Sequence, residues 1–220
     1  MSPQLDADRA LALTYVPAPR RQALRTIWEL DAAWGAVLAG GREPLISQIK
    51  LAWWRDSLAK LDGEKPPAEP MLQAVAADIL PLGVSGTELS EMEVGWTLLL
   101  AEEPLTAAEL ATYSATRGTL LFRYSARLLG AELTPGMARA GEGWALVDLA
   151  RHSNAVDAEA ALQAARERLF GEERWPTPLR PLGMLARLAR RDSLRAADQL
   201  EPHGTPARMW NMLRHRFSGG

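Results

Sequence analysis

Asp148 and His152 stand four residues apart in a stretch of helical spacing, so their side chains can meet on one face. A carboxylate beside an imidazole is a workable pair for general acid/base chemistry or for holding a metal; the plainer reading is a surface contact. Arg151, next to them, carries a planar fork that could grip a phosphate through two bonds or salt-bridge Asp148 or Asp157. Upstream, Tyr113, Arg117 and Arg123 fall in one long helical stretch. The two arginines could face a shared cavity or point to solvent, and Tyr113 reads as a core residue with its hydroxyl satisfied before it reads as a reactant. His203 and His215 have no partner at metal-ligand spacing and read as surface residues. Cysteine is absent, which excludes thiolate nucleophiles, disulfides and cysteine-ligated zinc.

The elements that must position these residues read as helices throughout. The densest stretch is Ile46 to Leu61, where Ile46, Ile49 and Trp53 form one line and Leu51, Trp54, Leu58 and Leu61 a second beside it. Two adjacent apolar lines predict a central helix buried over more than half its circumference, with Trp53 and Trp54 largely buried. Further helices are predicted over 6–15, 20–39, 71–80, 87–102, 107–129, 135–152, 157–170, 181–200 and 210–217. Thr106 followed by Glu109 is a capping box for the long helix, and Gly130 is its stop. Gly118 inside that helix costs about 1 kcal/mol against alanine, which calls for a close helix approach, a kink or room for a ligand. No stretch alternates over strand length, so the expected fold is an all-α bundle of one domain, 1–220.

A chain with 47% hydrophobic and 24% charged residues can bury a sizeable core, and its net charge of −2 argues against a nucleic-acid binder. No uninterrupted apolar run is long enough to span a bilayer, and the start shows no signal peptide. The expected setting is therefore cytoplasmic. From Arg180 onward there are eight arginines against three acids. Arg187, Arg191 and Arg195 lie about one turn apart, opposite the apolar line Leu182, Leu185, Ala189 and Ala196. Such a stripe would hold the chain peripherally at the inner, anionic face of a membrane or against an assembly partner; the plainer reading is a solvated face with Asp192 and Asp198 compensating.

Several pieces in order resemble the squalene and phytoene synthases. Pro19-Arg20-Arg21-Gln22-Ala23-Leu24 is similar to the family's P-x-R-R-x-A-L opening, and Leu51-Ala52-Trp53-Trp54-Arg55 to its L-x-W-W-R. Tyr113 with Thr116-Arg117-Gly118-Thr119 and Ala126-Arg127-Leu128-Leu129-Gly130 is similar to its central helix, and Trp144 to Arg151 to the helix carrying its second aspartate motif. The resemblance implies an all-helical prenyl-synthase bundle that joins prenyl diphosphates with Mg²⁺ held between two aspartate-rich motifs. In this register the first motif falls on Gly35, Ala36 and Ala39, and the second on His152 and Val156, so the motif aspartates are absent. Neutral alanine and valine cannot hold a hard cation. The pattern resembles the non-catalytic branch that includes the mitochondrial complex I assembly factor with a phytoene-synthase-like domain. The resulting expectation is a binding or assembly protein without a cofactor, its ligand a prenyl diphosphate or another lipid held by Asp31, Tyr113, Arg117, Asp148, Arg151 and His152. The alternative is a divergent prenyltransferase that uses Mg²⁺ on relocated carboxylates, Asp31, Asp148 and Asp157. The five motif positions are expected to line the space between two facing helices.

Overall fold

The computed structural model describes residues 5–41, 43–101, 104–171 and 173–219, and every regular element among them is helical. The order is α1 (Ala7–Thr14), α2 (Ala18–Gly40), α3 (Pro44–Lys60), α4 (Pro70–Asp78), α5 (Gly86–Ser90), α6 (Glu93–Leu98) and α7 (Ala107–Tyr113). After a π-helical turn over Ser114–Thr119 come α8 (Leu120–Leu128), α9 (Pro135–His152), α10 (Ala155–Arg168), α11 (Arg180–Ser193) and α12 (Pro206–Ser218). One continuous apolar core runs from Ala12 to Met212. Among the described residues no helix is long and apolar enough to cross a membrane.

Local chemistry sets most of the boundaries. Thr106 and Glu109 form the capping box that their spacing predicts, the Thr106 N–H donating to Glu109 Oε2 at 2.8 Å and the Glu109 N–H to Thr106 Oγ1 at 3.2 Å. Ser85 and Glu88 repeat the device at α5, and Asp6, Thr134 and Asn154 cap α1, α9 and α10 with their side chains. Gly130, at φ 75°, is the left-handed residue that stops α8.

The hub is α9, not α3. Helix α9 packs on the π turn, on α8, on α10 and on α11, and it can do so because Gly141, Gly143 and Ala145 let neighbours come close. A Cβ on Gly118 would lie 2.4 Å from the Gly141 carbonyl oxygen, and one on Gly141 would lie 2.7 Å from the Gly118 oxygen. Backbone-to-backbone contact is therefore the reason for Gly118, and it comes with the π turn that breaks the expected continuous helix over 107–129.

Helix α3 is peripheral, which corrects the expectation of a deeply buried Trp pair. Only the line through Leu51, Leu58 and Leu61 goes inward, with Trp54 half-buried beside it. Ile46, Ile49 and Trp53 face out, Trp53 at 45% exposure, and Leu45 joins them. The two rings make an edge-on contact, with centroids 5.2 Å apart. The expected helix over 87–102 is two short ones, and its end at Glu102 lies outside the described residues. The turn at Glu91 and Met92 re-aims α6 so that Trp96 covers Arg117.

The basic stripe also needs correction. Helix α11 ends at Ser193, because Asp192 and Ser193 are drawn into the core, and Arg195 lies beyond it. Arg191 and Arg195 both pair with Glu201, at 2.5 and 3.0 Å, and Arg187 Nε donates to Asn211 Oδ1 at 3.3 Å. These arginines tie the segment before α12 to α11, and Ala196 is exposed instead of extending the buried line.

Candidate functional site

The π turn carries Arg117 into the middle of the bundle, where it is 1% exposed. Its Nε and Nη2 donate to the two oxygens of Asp31 on α2, at 2.8 and 2.9 Å, as a fork on a carboxylate. Nη2 also stands 2.7 Å from Asp148 Oδ2 on α9, and Nη1 donates to the Tyr113 hydroxyl. Arg9 on α1 adds a second cation, its Nη1 3.0 Å from Asp31 Oδ2. Aromatic faces close the assembly. Trp96 lies 4.2 Å from the Arg117 guanidinium carbon, and Trp144 sits between Arg117 and Arg9 at 5.1 and 5.3 Å.

Two arginines and two aspartates thus cancel inside an aromatic box. Burial pushes the Asp148 carboxyl up, but Arg117 and then Arg9 outweigh it and hold the group well below the usual carboxylate range. Burial lifts the Tyr113 hydroxyl, so it stays protonated. Neither Asp148 nor Tyr113 is poised to exchange a proton near neutrality.

The network continues. Arg9 Nε pairs with Asp6 at 2.6 Å, and His203 Nδ1 stands 2.6 Å from Asp8 Oδ2 and 3.6 Å from Asp6. Arg208 on α12 then spans Asp8, at 2.8 Å, and the fully buried Asp192, which also receives Arg151. Nitrogen donors and carboxylates alternate along this ladder and join α1, α2, α9, α11 and α12. Asp6, Asp8 and His203 come close enough for one cation, but Asp8 already accepts from Arg208 and the Gly204 N–H, and Asp6 from Arg9 and the first N–H groups of α1. Their oxygens are spoken for by donors within the chain.

Of the residues singled out from sequence, Asp31, Tyr113, Arg117 and Asp148 come together. His152 does not join them. Its Nδ1 meets the main-chain oxygen of Asp148 at 2.8 Å while the Asp148 carboxylate turns to Arg117, so the expected acid/base pair is not formed. Arg151 goes to Asp192 and to the Glu201 carbonyl oxygen. Asp157 accepts from the Leu105 N–H at 3.0 Å and from Asn154, which pins a loop. Gly35 is half-buried under Trp96, where a Cβ would sit 3.1 Å from the ring. Ala36, Ala39, His152 and Val156 are exposed, Val156 at 67%, so they do not line an enclosed space between facing helices. Arg123 is exposed. His203 and His215 depart from the surface reading, the first paired with Asp8 and the second 2% exposed. Arg9, Trp96, Arg208 and Asp192 belong to the ladder yet carry no sequence signal beyond their residue type, since their partners are remote in the chain. No family model matches the chain, and no curated protein or solved structure matches it either.

Proposed function

We propose that the chain is a non-catalytic binding or assembly protein on the scaffold of the squalene and phytoene synthases. The observation that carries this reading is the Arg117 guanidinium between Asp31 and Asp148. Prenyl transfer of that kind requires Mg²⁺, which takes six oxygen ligands at about 2.1 Å and bridges carboxylates to the diphosphate. Here Asp31 spends both oxygens and Asp148 its Oδ2 on a guanidinium within an aromatic box, and one turn onward stand Gly35 and His152, which add no carboxylate. The residues present do not fit the metal. The alternative, a prenyltransferase with relocated carboxylates, would need Asp31, Asp148 and Asp157 all released from their present partners. A protein that works by contact keeps apolar area on its surface, and the Leu45, Ile46, Ile49 and Trp53 row of α3 is such an area. The site of action in this reading is the cytoplasm, and the ligand class is a prenyl diphosphate or another lipid.

Incubation of the purified protein with Mg²⁺ and farnesyl or geranylgeranyl diphosphate tests it. The expected result is no diphosphate release above a protein-free blank and no condensed prenyl product. Mg²⁺-dependent release, abolished by Asp31→Asn, would overturn the proposal.

A further inference from the structure

Helix α12 reverses the usual polarity of a surface helix. Its inward face is Arg208, Met212 and His215, at 2%, 0% and 2% exposure, so two of the three residues it buries are polar. Its outward face carries Trp210, Leu213, Arg214 and Phe217, which stand at the i, i+3, i+4 and i+7 spacing of one helical face. Trp210 is 70% and Phe217 78% exposed, Met209 beside them is 39%, and Leu213 is half-buried. The inward polarity has local causes. Arg208 reaches Asp8 and Asp192, and His215 packs over Gly183, where a Cβ would lie 2.3 Å from its Nε2, at the floor of a cavity of about 350 Å³ between α9, α10, α11 and α12. No such pairing accounts for the outward face. An aromatic side chain covers about 150–250 Å² when buried, so the two outward rings leave roughly 300 Å² open to water, a patch of the size that marks interaction sites.

The charge of the helix is one-signed. Residues 206–218 contain no acid. Arg214 is exposed, Arg216 lies over the Tyr15 ring at 5.5 Å, and among the described residues neither pairs with a carboxylate. Arg180 adds a third cation at the C-terminal end of α12, its Nη1 donating to the Arg216 carbonyl oxygen at 2.9 Å. The acids at the other end are committed, Asp8 and Asp192 to Arg208 and Glu201 to Arg191 and Arg195.

Three occupants could cover an apolar, basic face, and geometry chooses among them. A second copy would set α12 against α12 across a twofold axis, bringing arginine to arginine with no acid on either helix. The patch also falls well short of the roughly 800 Å² per partner of a stable interface. Acidic protein grooves that take up basic amphipathic helices surround them, whereas the inward face of α12 is fixed in the core. A lipid surface needs one face only. Tryptophan and phenylalanine seat where headgroups meet acyl chains, and flanking arginines are drawn to anionic headgroups.

We propose that the outward face of α12 docks on an anionic lipid bilayer, with Trp210 and Phe217 at the headgroup boundary and Arg214 and Arg216 against the lipid phosphates. The contact is peripheral. It uses none of the residues of the Arg117 site, so it stands or falls apart from the pseudoenzyme reading.

Flotation of the full chain with vesicles of phosphatidylcholine alone, or of phosphatidylcholine mixed with phosphatidylserine, tests it. The protein is expected to float with the mixed vesicles only and to be released by high salt. Trp210→Ser combined with Phe217→Ser removes side chains that stand mostly in water, so the melting temperature should hold while binding falls about tenfold or more. Arg214→Glu should fold as the parent and weaken binding about tenfold, since it removes an attracted cation and adds a repelled anion. Val156→Ser, which trims a similarly exposed residue on α10, should leave binding unchanged. Equal binding to neutral vesicles, or no flotation with the mixed ones, would overturn the proposal, and so would binding untouched by both the serine pair and Arg214→Glu. A concentration-dependent dimer in size-exclusion chromatography that the serine pair abolishes would give the face to a second copy and overturn it as well.

Discussion

Arg117→Met is expected to destabilise the protein by about 3–5 kcal/mol at pH 7, the cost of removing one partner from a buried ion pair. The guanidinium satisfies both oxygens of Asp31, one of Asp148 and the Tyr113 hydroxyl, and Arg9 alone cannot replace it. Methionine keeps an unbranched apolar stem, so the loss reports charge and hydrogen bonding more than packing of the stem. The pH response separates this account from a simple packing defect. In the parent, the folded Asp148 carboxyl lies below its unfolded value of about 3.9, so its contribution is present above that pH and is lost as pH falls below it. In the variant the main cause of the depression is gone and burial pushes the carboxyl up. A raised carboxyl favours the folded state at lower pH. Urea midpoints should therefore show the variant recovering part of its deficit between pH 7 and pH 5, where the parent changes little. A cost below about 1 kcal/mol, or a deficit independent of pH, would contradict this reading of the site.

Asp192→Ala should cost a similar amount, about 3–5 kcal/mol, because it strands Arg151 and Arg208 near the core. Asp192 is fully buried, and its Oδ2 accepts from both arginines at 2.5 Å. Arg208 keeps Asp8, but α12 then loses its charged link to α9 and α11. The loss should be local first. Limited proteolysis of the folded variant is expected to cut between α11 and α12, around Leu200 to Thr205, before the rest of the chain is digested. Acid should not rescue it. Burial raises the Asp8 carboxyl, but His203 and Arg208 outweigh that and depress it, so its share of stability also falls as pH drops below about 4. Unchanged proteolysis with unchanged urea stability would show that the ladder is ornamental.

The local code was readable where one residue decides the outcome. Thr106 with Glu109, and Gly130, follow from donors and φ angles within a few residues. The burial of α3 was not readable. Two apolar lines at helical spacing say that a helix has two candidate faces, and only the placement of α5 and α6 against it decides that the Ile46, Ile49 and Trp53 face stays open. The same limit hid the role of α9, whose glycines and alanines give a weak apolar pattern yet allow backbone-to-backbone contact with the π turn. Helix α11 ends early because Asp192 is pulled inward by arginines from α9 and α12, a tertiary cause without local trace.

For the candidate site, the residue types Asp31, Tyr113, Arg117 and Asp148 were visible, but their use was not. Arg117 and Asp31 are 86 residues apart, and Arg208 and Asp8 are 200 apart. No spacing rule reaches across such distances. His215 shows the converse: an isolated histidine between arginines reads as surface, and only the packing of α12 over Gly183 puts it at the floor of a cavity.

A crystal structure of the protein soaked with Mg²⁺ and a non-hydrolysable farnesyl diphosphate analogue tests the central claim most directly. The account predicts Arg117 still forked on Asp31 and in contact with Asp148, with no metal at coordination distance, about 2.1 Å, from either carboxylate. Magnesium bridging Asp31 and Asp148 to the diphosphate, with the guanidinium of Arg117 displaced, would contradict it.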